Sequence, residues 1–294
     1  MEGNVAWWGL GASLSLVVVA IAISRRYGLG LELPMIGASI RAIVQLVVVG
    51  AALGLVIDEG RSMVWSWLWV TAIVVVASWV VRRRAPELPG IFTVALIANT
   101  VTTVVSAGLI FGLQIFPLES RTLIPVMGMT LGNALTSTVV AATLLVREVS
   151  DRRDDIEARL ALGMPWQVAM RPHQREILRA AIGPQVERTR HVGTIFLPGA
   201  MVGLILAGVE PLDAVLVQGA LMFVILGGVA TSTAVITLGA GRRLFTSDHR
   251  LRPLVRTTGT APEDMVLERV LGVLRGKRSR DGEKGDGAAA GPSE

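Results

Sequence analysis

Repeated apolar runs of membrane-spanning length, with no carboxylate inside any of their apolar cores, constrain this chain more than any other feature. They lie at residues 5–24, 39–57, 63–81, 91–116, 122–146, 193–209 and 212–239. An apolar helix of roughly 20 residues crosses the hydrocarbon layer. The expected fold is therefore all-α, a polytopic transmembrane bundle of about seven spans, the last two joined by a tight Glu210-Pro211 turn. Proton-coupled carriers typically relay through an intramembrane acid, so runs without acids point away from that energy source.

Composition agrees, with 52% apolar residues, 17% charged residues and a mean hydropathy of +0.59. That balance is foreign to a soluble domain of this length. The absence of cysteine removes disulfides, thiolate metal sites and cysteine nucleophiles together. Met1–Trp8 holds an acid and no basic segment, so a cleaved leader is not expected. The net charge of +5 does not suggest nucleic acid, because the arginines follow membrane topology. Arg25-Arg26 follow the first run, Arg82-Arg83-Arg84 the third and Arg242-Arg243 the last, and many more follow the fifth. The opposite connections hold only Arg61 and Arg121 beside several acids, which places the N-terminus outside and the C-terminus in the cytosol.

The permease domain is expected over residues 1–241, with one large cytosolic loop at 147–192. A cytosolic amphipathic tail follows at 242–275, where 262–275 reads as a short helix, and residues 276–294 have the composition of a disordered tail. Residues 27–40 read as a short interfacial stretch before the second span. Within the loop, Asp151, Asp154 and Asp155 precede an apolar periodicity, as acids do at a helix start. Gly163 would end that helix in a left-handed cap, and Pro165 prevents its continuation. A second helix is expected over about 166–182, stopped by Gly183-Pro184. The pattern is an exposed helical hairpin, either a docking element or a solvated connector.

Residues 157–163, Glu-Ala-Arg-Leu-Ala-Leu-Gly, resemble the coupling loop of ATP-binding-cassette permeases, in which a Glu-Ala pair precedes a glycine and the helix sits in a groove of the ATPase. Four membrane motifs extend the likeness: Ser39–Leu46 (SIRAIVQL), Ile124–Asn133 (IPVMGMTLGN), Leu197–Met201 (LPGAM) and Ala214–Gln218 (AVLVQ). Together they resemble the FetB (YbbM) family of ABC-transporter permeases over approximately residues 5–238. The resemblance implies a cell-membrane permease that pairs with itself and with a separate ATPase chain, in a family implicated in bacterial iron export. It implies coupling through Glu157, Ala158, Leu160, Gly163 and Trp166. No cofactor is expected on this chain, because Gly276-Lys277-Arg278 lacks the end of a phosphate-binding loop and ATP would be held by the partner.

Several residues in the runs are candidates for a translocation pathway or gate. Arg41 and Gln45 share a helix face one turn apart, as an entry group for a polar or anionic solute or as an interfacial anchor. Asn99 and Asn133 carry amides that need partners in a span, across helices or along a pathway. Pro198 either loosens the sixth run or starts its helix, and Gln218 belongs to the last motif. Gly128, Gly132, Gly199 and Gly203 repeat at the four-residue spacing of close helix packing. Met127, Met129, Met201 and Met222 are better read as packing than as metal ligands. The three histidines all fall in cytosolic segments, so no conventional metal cage is expected. An ion-coupled secondary transporter and a non-transporting membrane scaffold stand as the alternatives to the permease.

The charge pattern makes a direct prediction. A reporter fused after Arg243 reads as cytosolic and one fused before Trp7 as external, and the reverse pair of signals would overturn the orientation.

Overall fold

The computed structural model describes residues 7–56, 62–195, 197–246 and 248–253, which leaves the expected amphipathic helix at 262–275 and the tail at 276–294 outside them. Ten helices are described: α1 (Trp7–Tyr27), α2 (Glu32–Val56), α3 (Val64–Arg84), α4 (Ile91–Gly112), α5 (Ser120–Asp151), α6 (Arg153–Ala161), α7 (Trp166–Ala169), α8 (Arg171–Arg190), α9 (Gly199–Leu206) and α10 (Pro211–Arg243). Among the described residues there is no strand, only a single bridge between Phe245 and Leu251.

The chain divides into two units, one built on α1 and α2 and the other on α3 to α10. In the first, the expected interfacial stretch at 27–40 is shorter than the sequence suggested, because α2 already begins at Glu32. Gly28 and Gly30 take left-handed backbone angles (φ 63° and 67°), which closes the turn in a few residues. The buried Ser24 hydroxyl then donates to Glu32 Oε1 at 2.7 Å and accepts from the Leu31 amide at 3.1 Å. An acid in the first turn of α2 also meets the positive end of the helix dipole.

The second unit is a bundle of α3, α4, α5 and α10, turned inside out relative to a water-soluble core. Ser78, Asn99, Thr102, Ser232 and Thr233 are wholly buried between the helices, while Val76, Val104 and Phe223 stand 58%, 64% and 70% exposed on the outside. In lipid there is no hydrophobic drive between helices, so small and hydroxylated residues take the interior and branched apolar ones face out. Several hydroxyls bond within their own helix, Ser78 to Val74 O at 2.7 Å and Thr130 to Val126 O at 2.9 Å, and so need no water.

Helix directions follow from named contacts. Ser66 donates to Ser120 at 2.8 Å, joining the starts of α3 and α5, and Arg243 at the end of α10 donates to Gly90 O at 2.9 Å, just before α4. Leu123 and Met127 of α5 pack with Leu221 and Val224 of α10, and further along Ala142 and Leu145 pack with Ile236 and Ala240. α3, α5 and α10 are therefore parallel and α4 antiparallel, which gathers the arginines ending α3, α5 and α10 at one end.

Five helices are long and apolar enough to cross a membrane: α2 over Glu32–Gly54, then α3, α4, α5 and α10. α1 is a 21-residue helix over the first apolar run. The run at 193–209 departs from the expected span. It forms only the eight-residue α9, about 12 Å long by helical rise, because Pro198 caps its start and Gly208 (φ 93°) follows its end.

The loop departs too. α8 continues through Gly183-Pro184 to Arg190, since an interior proline removes only one backbone bond and α8 is held along its length by α5 and α10. His173 Nδ1 lies 2.9 Å from Glu148 Oε1, and Arg188 Nη1 donates to Asn133 Oδ1 at 2.9 Å, so α8 runs back along α5. The loop is thus no free hairpin, and only its α6–α7 portion projects.

Close approach of α10 to its neighbours depends on Gly228, where an added Cβ would sit 3.1 Å from Thr102 Cγ2 and 3.4 Å from Thr130 Cγ2. Gly228→Leu is expected to lower thermal stability in detergent by about 1–3 kcal/mol through overpacking. Gly108→Leu, at a site with nothing within 4 Å, is expected to leave the melting curve unshifted.

Candidate functional site

Two features of the second unit combine chemistry with accessibility. The first is the α6–α7 projection. Gly163 adopts φ 82°, the left-handed cap its place in the sequence called for, and the Met164 amide closes the turn on Arg159 O at 3.2 Å. Glu157, Ala158 and Gly163 are exposed and Leu160 is half-buried. Leu162 stands 78% exposed at the tip. Large apolar side chains held outside any expected span mark a contact surface.

Trp166 is placed differently from its neighbours. Its ring stacks on Phe245 (centroids 5.5 Å apart, 20° between planes), and its amide lies 3.5 Å from His249 Nδ1. The segment after α10 folds back through the Phe245–Leu251 bridge to hold it there. A groove of about 440 Å³ opens between this segment and α6, lined by Glu157, Leu160, Asp248 and Arg250 among others.

On the other side of α6, the buried His173 lies between two carboxylates, 2.9 Å from Glu148 and 3.3 Å from Asp155. Hydrogen bonding from Arg159 is the main cause that holds the Asp155 carboxyl below the usual carboxylate range; it outweighs desolvation, and the charge of Arg159 and the His173 ring add to it.

The second feature is an open cavity of about 420 Å³ between α5, α8, the start of α9 and α10. α5 contributes Met129 and Asn133, and α8 contributes Gln185 and Arg188. The start of α9 contributes Pro198, Gly199 and Ala200, while α10 contributes Gln218, Met222 and Ile225. Asn133 donates its Nδ2 to Met129 O at 2.8 Å, which fixes the amide so that its Oδ1 receives Arg188. Gln185 Nε2 and Gln218 Oε1 are buried and find no hydrogen-bond partner among the described residues. Buried amides without partners are costly, and here both belong to the wall of one cavity.

Asn133, Pro198 and Gln218, proposed from the sequence as pathway residues, therefore meet in one place, and Gly199 joins them. Asn99 does not, because it is wholly buried and donates to Ser78 Oγ at 3.0 Å, bonding α4 to α3. Arg41 and Gln45 lie on exposed positions of α2 in the other unit. Gly128, Gly132, Gly199 and Gly203 have nothing within 4 Å of an added Cβ among the described residues, so none of these glycines sits at a close helix contact there. Gln185 and Arg188 were missed because the second loop helix was expected to stop at 182. Their signal was present, since Ile177, Ala181, Gln185 and Arg188 follow one another at helical spacing on a single face. Among the described residues no group of three or more His, Asp or Glu side chains is arranged to hold a metal ion.

The long apolar helices packed around a polar interior define a multi-pass membrane protein. The sequence profile of a family described as Uncharacterised protein family (UPF0014) matches residues 7–245, and the chain belongs to that family. Among its relatives, UPF0014 membrane protein STAR2 of Oryza sativa subsp. japonica is 36% identical over 204 residues, covering 69% of this chain and 71% of its own. UPF0014 membrane protein YjkA of Bacillus subtilis (strain 168) is 32% identical over 206 residues, covering 70% and 82%. The protein named "Probable iron export permease protein FetB" of Escherichia coli (strain K12) is 31% identical over 215 residues, covering 72% and 82%. No solved structure matches the chain.

The lowered Asp155 acidity has a testable sign. Its contribution to the α6 junction is present above the ordinary aspartate value of about 3.9 and is lost as pH falls through the lowered folded-state value. Asp155→Asn is expected to speed amide exchange in α6 at neutral pH, with the gap to wild type closing as the buffer is taken below that range.

Proposed function

We propose that this chain is the membrane-spanning permease subunit of an ATP-binding-cassette transporter, working as a homodimer and driven by a separate ATPase chain. Its cargo is iron, a related metal or a small solute, moved outward. The observation that carries the reading is how α6 and α7 are mounted. Their tip presents Glu157, Leu162 and Gly163 for docking, while His173 with Glu148 ties α8 to α5 behind it and Trp166 with Phe245 ties α7 to the end of α10. α5 and α10 are also two walls of the open cavity.

The mechanism follows from that mounting. Closure of a docked ATPase presses on α6, the push passes through the two anchors into α5 and α10, and a shift between those helices exposes the cavity to one side or the other. The arginine-rich end would face the cytosol. The name of the Escherichia coli relative supports the export assignment. The glycines of α5 and α9 that sit at no close helix contact among the described residues support pairing with a second copy.

Coexpressed with its cognate ATPase, the chain is expected to copurify with it. Glu157→Ala and Gly163→Val are each expected to weaken association by about 2 kcal/mol, the scale of a docking hot spot, with membrane insertion and elution volume unchanged. Full association and ATPase stimulation in both variants would sink the assignment. The broken crossing formed by α8 and α9 is also a device of ion-coupled carriers, so gradient-driven uptake by vesicles holding this chain alone would favour that reading instead.

A further inference from the structure

We infer that the open cavity is an anion site, and that the cargo enters it as a small organic oxyanion or as the anionic chelate of a metal, never as a bare cation. The inference rests on taking the cavity as the place where cargo sits, though not on which engine drives the transport.

Two features of the wall are positive, and a third leaves polar atoms free to meet a ligand. Arg188, whose side chain is exposed, holds a permanent positive charge against Asn133 of the apolar run of α5. Its hydrogen bond goes to a neutral amide, and no carboxylate lines the cavity among the described residues. The second feature is the start of α9. Pro198 has no side-chain hydrogen bond to offer its cap, and the first intrahelical bond runs from Val202 to Pro198 O at 3.1 Å. The amides of the first turn, beginning at Gly199 and Ala200 on the cavity wall, thus carry the positive end of the helix dipole. The third is the pair of unpartnered amides, Gln185 at 6% exposure and Gln218 at 3%.

A guanidinium offers a planar fork that fits carboxylate and phosphate oxygens. The same charge repels a naked metal ion, and the thioethers of Met129 and Met222 cannot offset that for a hard ion. A volume of about 420 Å³ suits a small organic ligand. A metal would travel here with its own oxygen ligands, presenting their outer carboxylates to Arg188. Gln185 and Gln218 would complete the shell, their free atoms supplying one donor and one acceptor as placed.

The chain has no cysteine, so a single one can report on the cavity. With full-length A200C in nanodiscs, rates of modification by an anionic sulfonate methanethiosulfonate and a cationic trimethylammonium one are compared, each normalised to L162C at the exposed tip. The anionic-to-cationic ratio is expected to be about tenfold higher at A200C, as for a focused positive site. R188Q should collapse that ratio and R188K should retain most of it. Citrate and ferric citrate should both protect A200C if the organic anion is what is recognised, and ferric citrate alone if the chelate is. A ratio at A200C no higher than at L162C, an unchanged ratio in R188Q, or protection by manganese(II) without protection by either citrate probe would overturn the proposal. Loss of ATPase association with the ratio intact would instead discard the permease reading and leave the anion site standing.

Discussion

α5 and α10 run in the same direction, and the rest of the second unit follows from that. Two parallel helices joined in sequence need a return path along the bundle, and this chain provides it without a continuous apolar helix. α8 covers the first part, from Glu148 back to Asn133 beside α5. α9 lies at the cavity into which α8 leads. A return made of a charged helix and a short apolar one leaves a helix terminus and an exposed guanidinium on the wall of the cavity, both of which lipid would reject. They are tolerated because they line a cavity rather than face hydrocarbon.

The bundle can accept such a return because its interior is already polar and finely packed. Several hydroxyls of α3, α4, α5 and α10 bond within their own helices, which lets Ser, Thr and Gly occupy the contact surfaces. Gly228 shows the benefit, since it admits the methyl groups of Thr102 and Thr130 where even a Cβ would be tight. Apolar bulk is kept for the outer face, as at Val104 and Phe223. Stability then comes from close packing and paired polar groups more than from removal of water.

The same helices connect the two sites. α5 carries Asn133 at the cavity and Glu148 at the anchor of α8, while α10 carries Gln218 at the cavity and leads directly into Phe245. On the proposed reading, a displacement of the α6–α7 element would reach the cavity through these two helices. What the cavity would hold and what would move it then depend on different residues of the same helices.

Much of the architecture could be read from composition and periodicity. An all-α membrane protein, most of its long helices and the left-handed cap at Gly163 follow from local pattern, because lipid demands continuous apolar helices and a glycine at positive φ is a local event, while Asn133, Pro198 and Gln218 were legible only as candidates. The run at 193–209 was apolar enough to pass for a span, yet Pro198 and Gly208 cut it to eight residues. α8 passed through Gly183-Pro184 because packing along α5 and α10 outweighs one lost backbone bond, and with those extra turns came Gln185 and Arg188. By itself, then, the sequence determined the solvent, the helices and several polar candidates. Only tertiary structure decided which helices are neighbours and hence which distant side chains share a cavity, because periodicity reports the face of a helix and not the neighbour that face will meet.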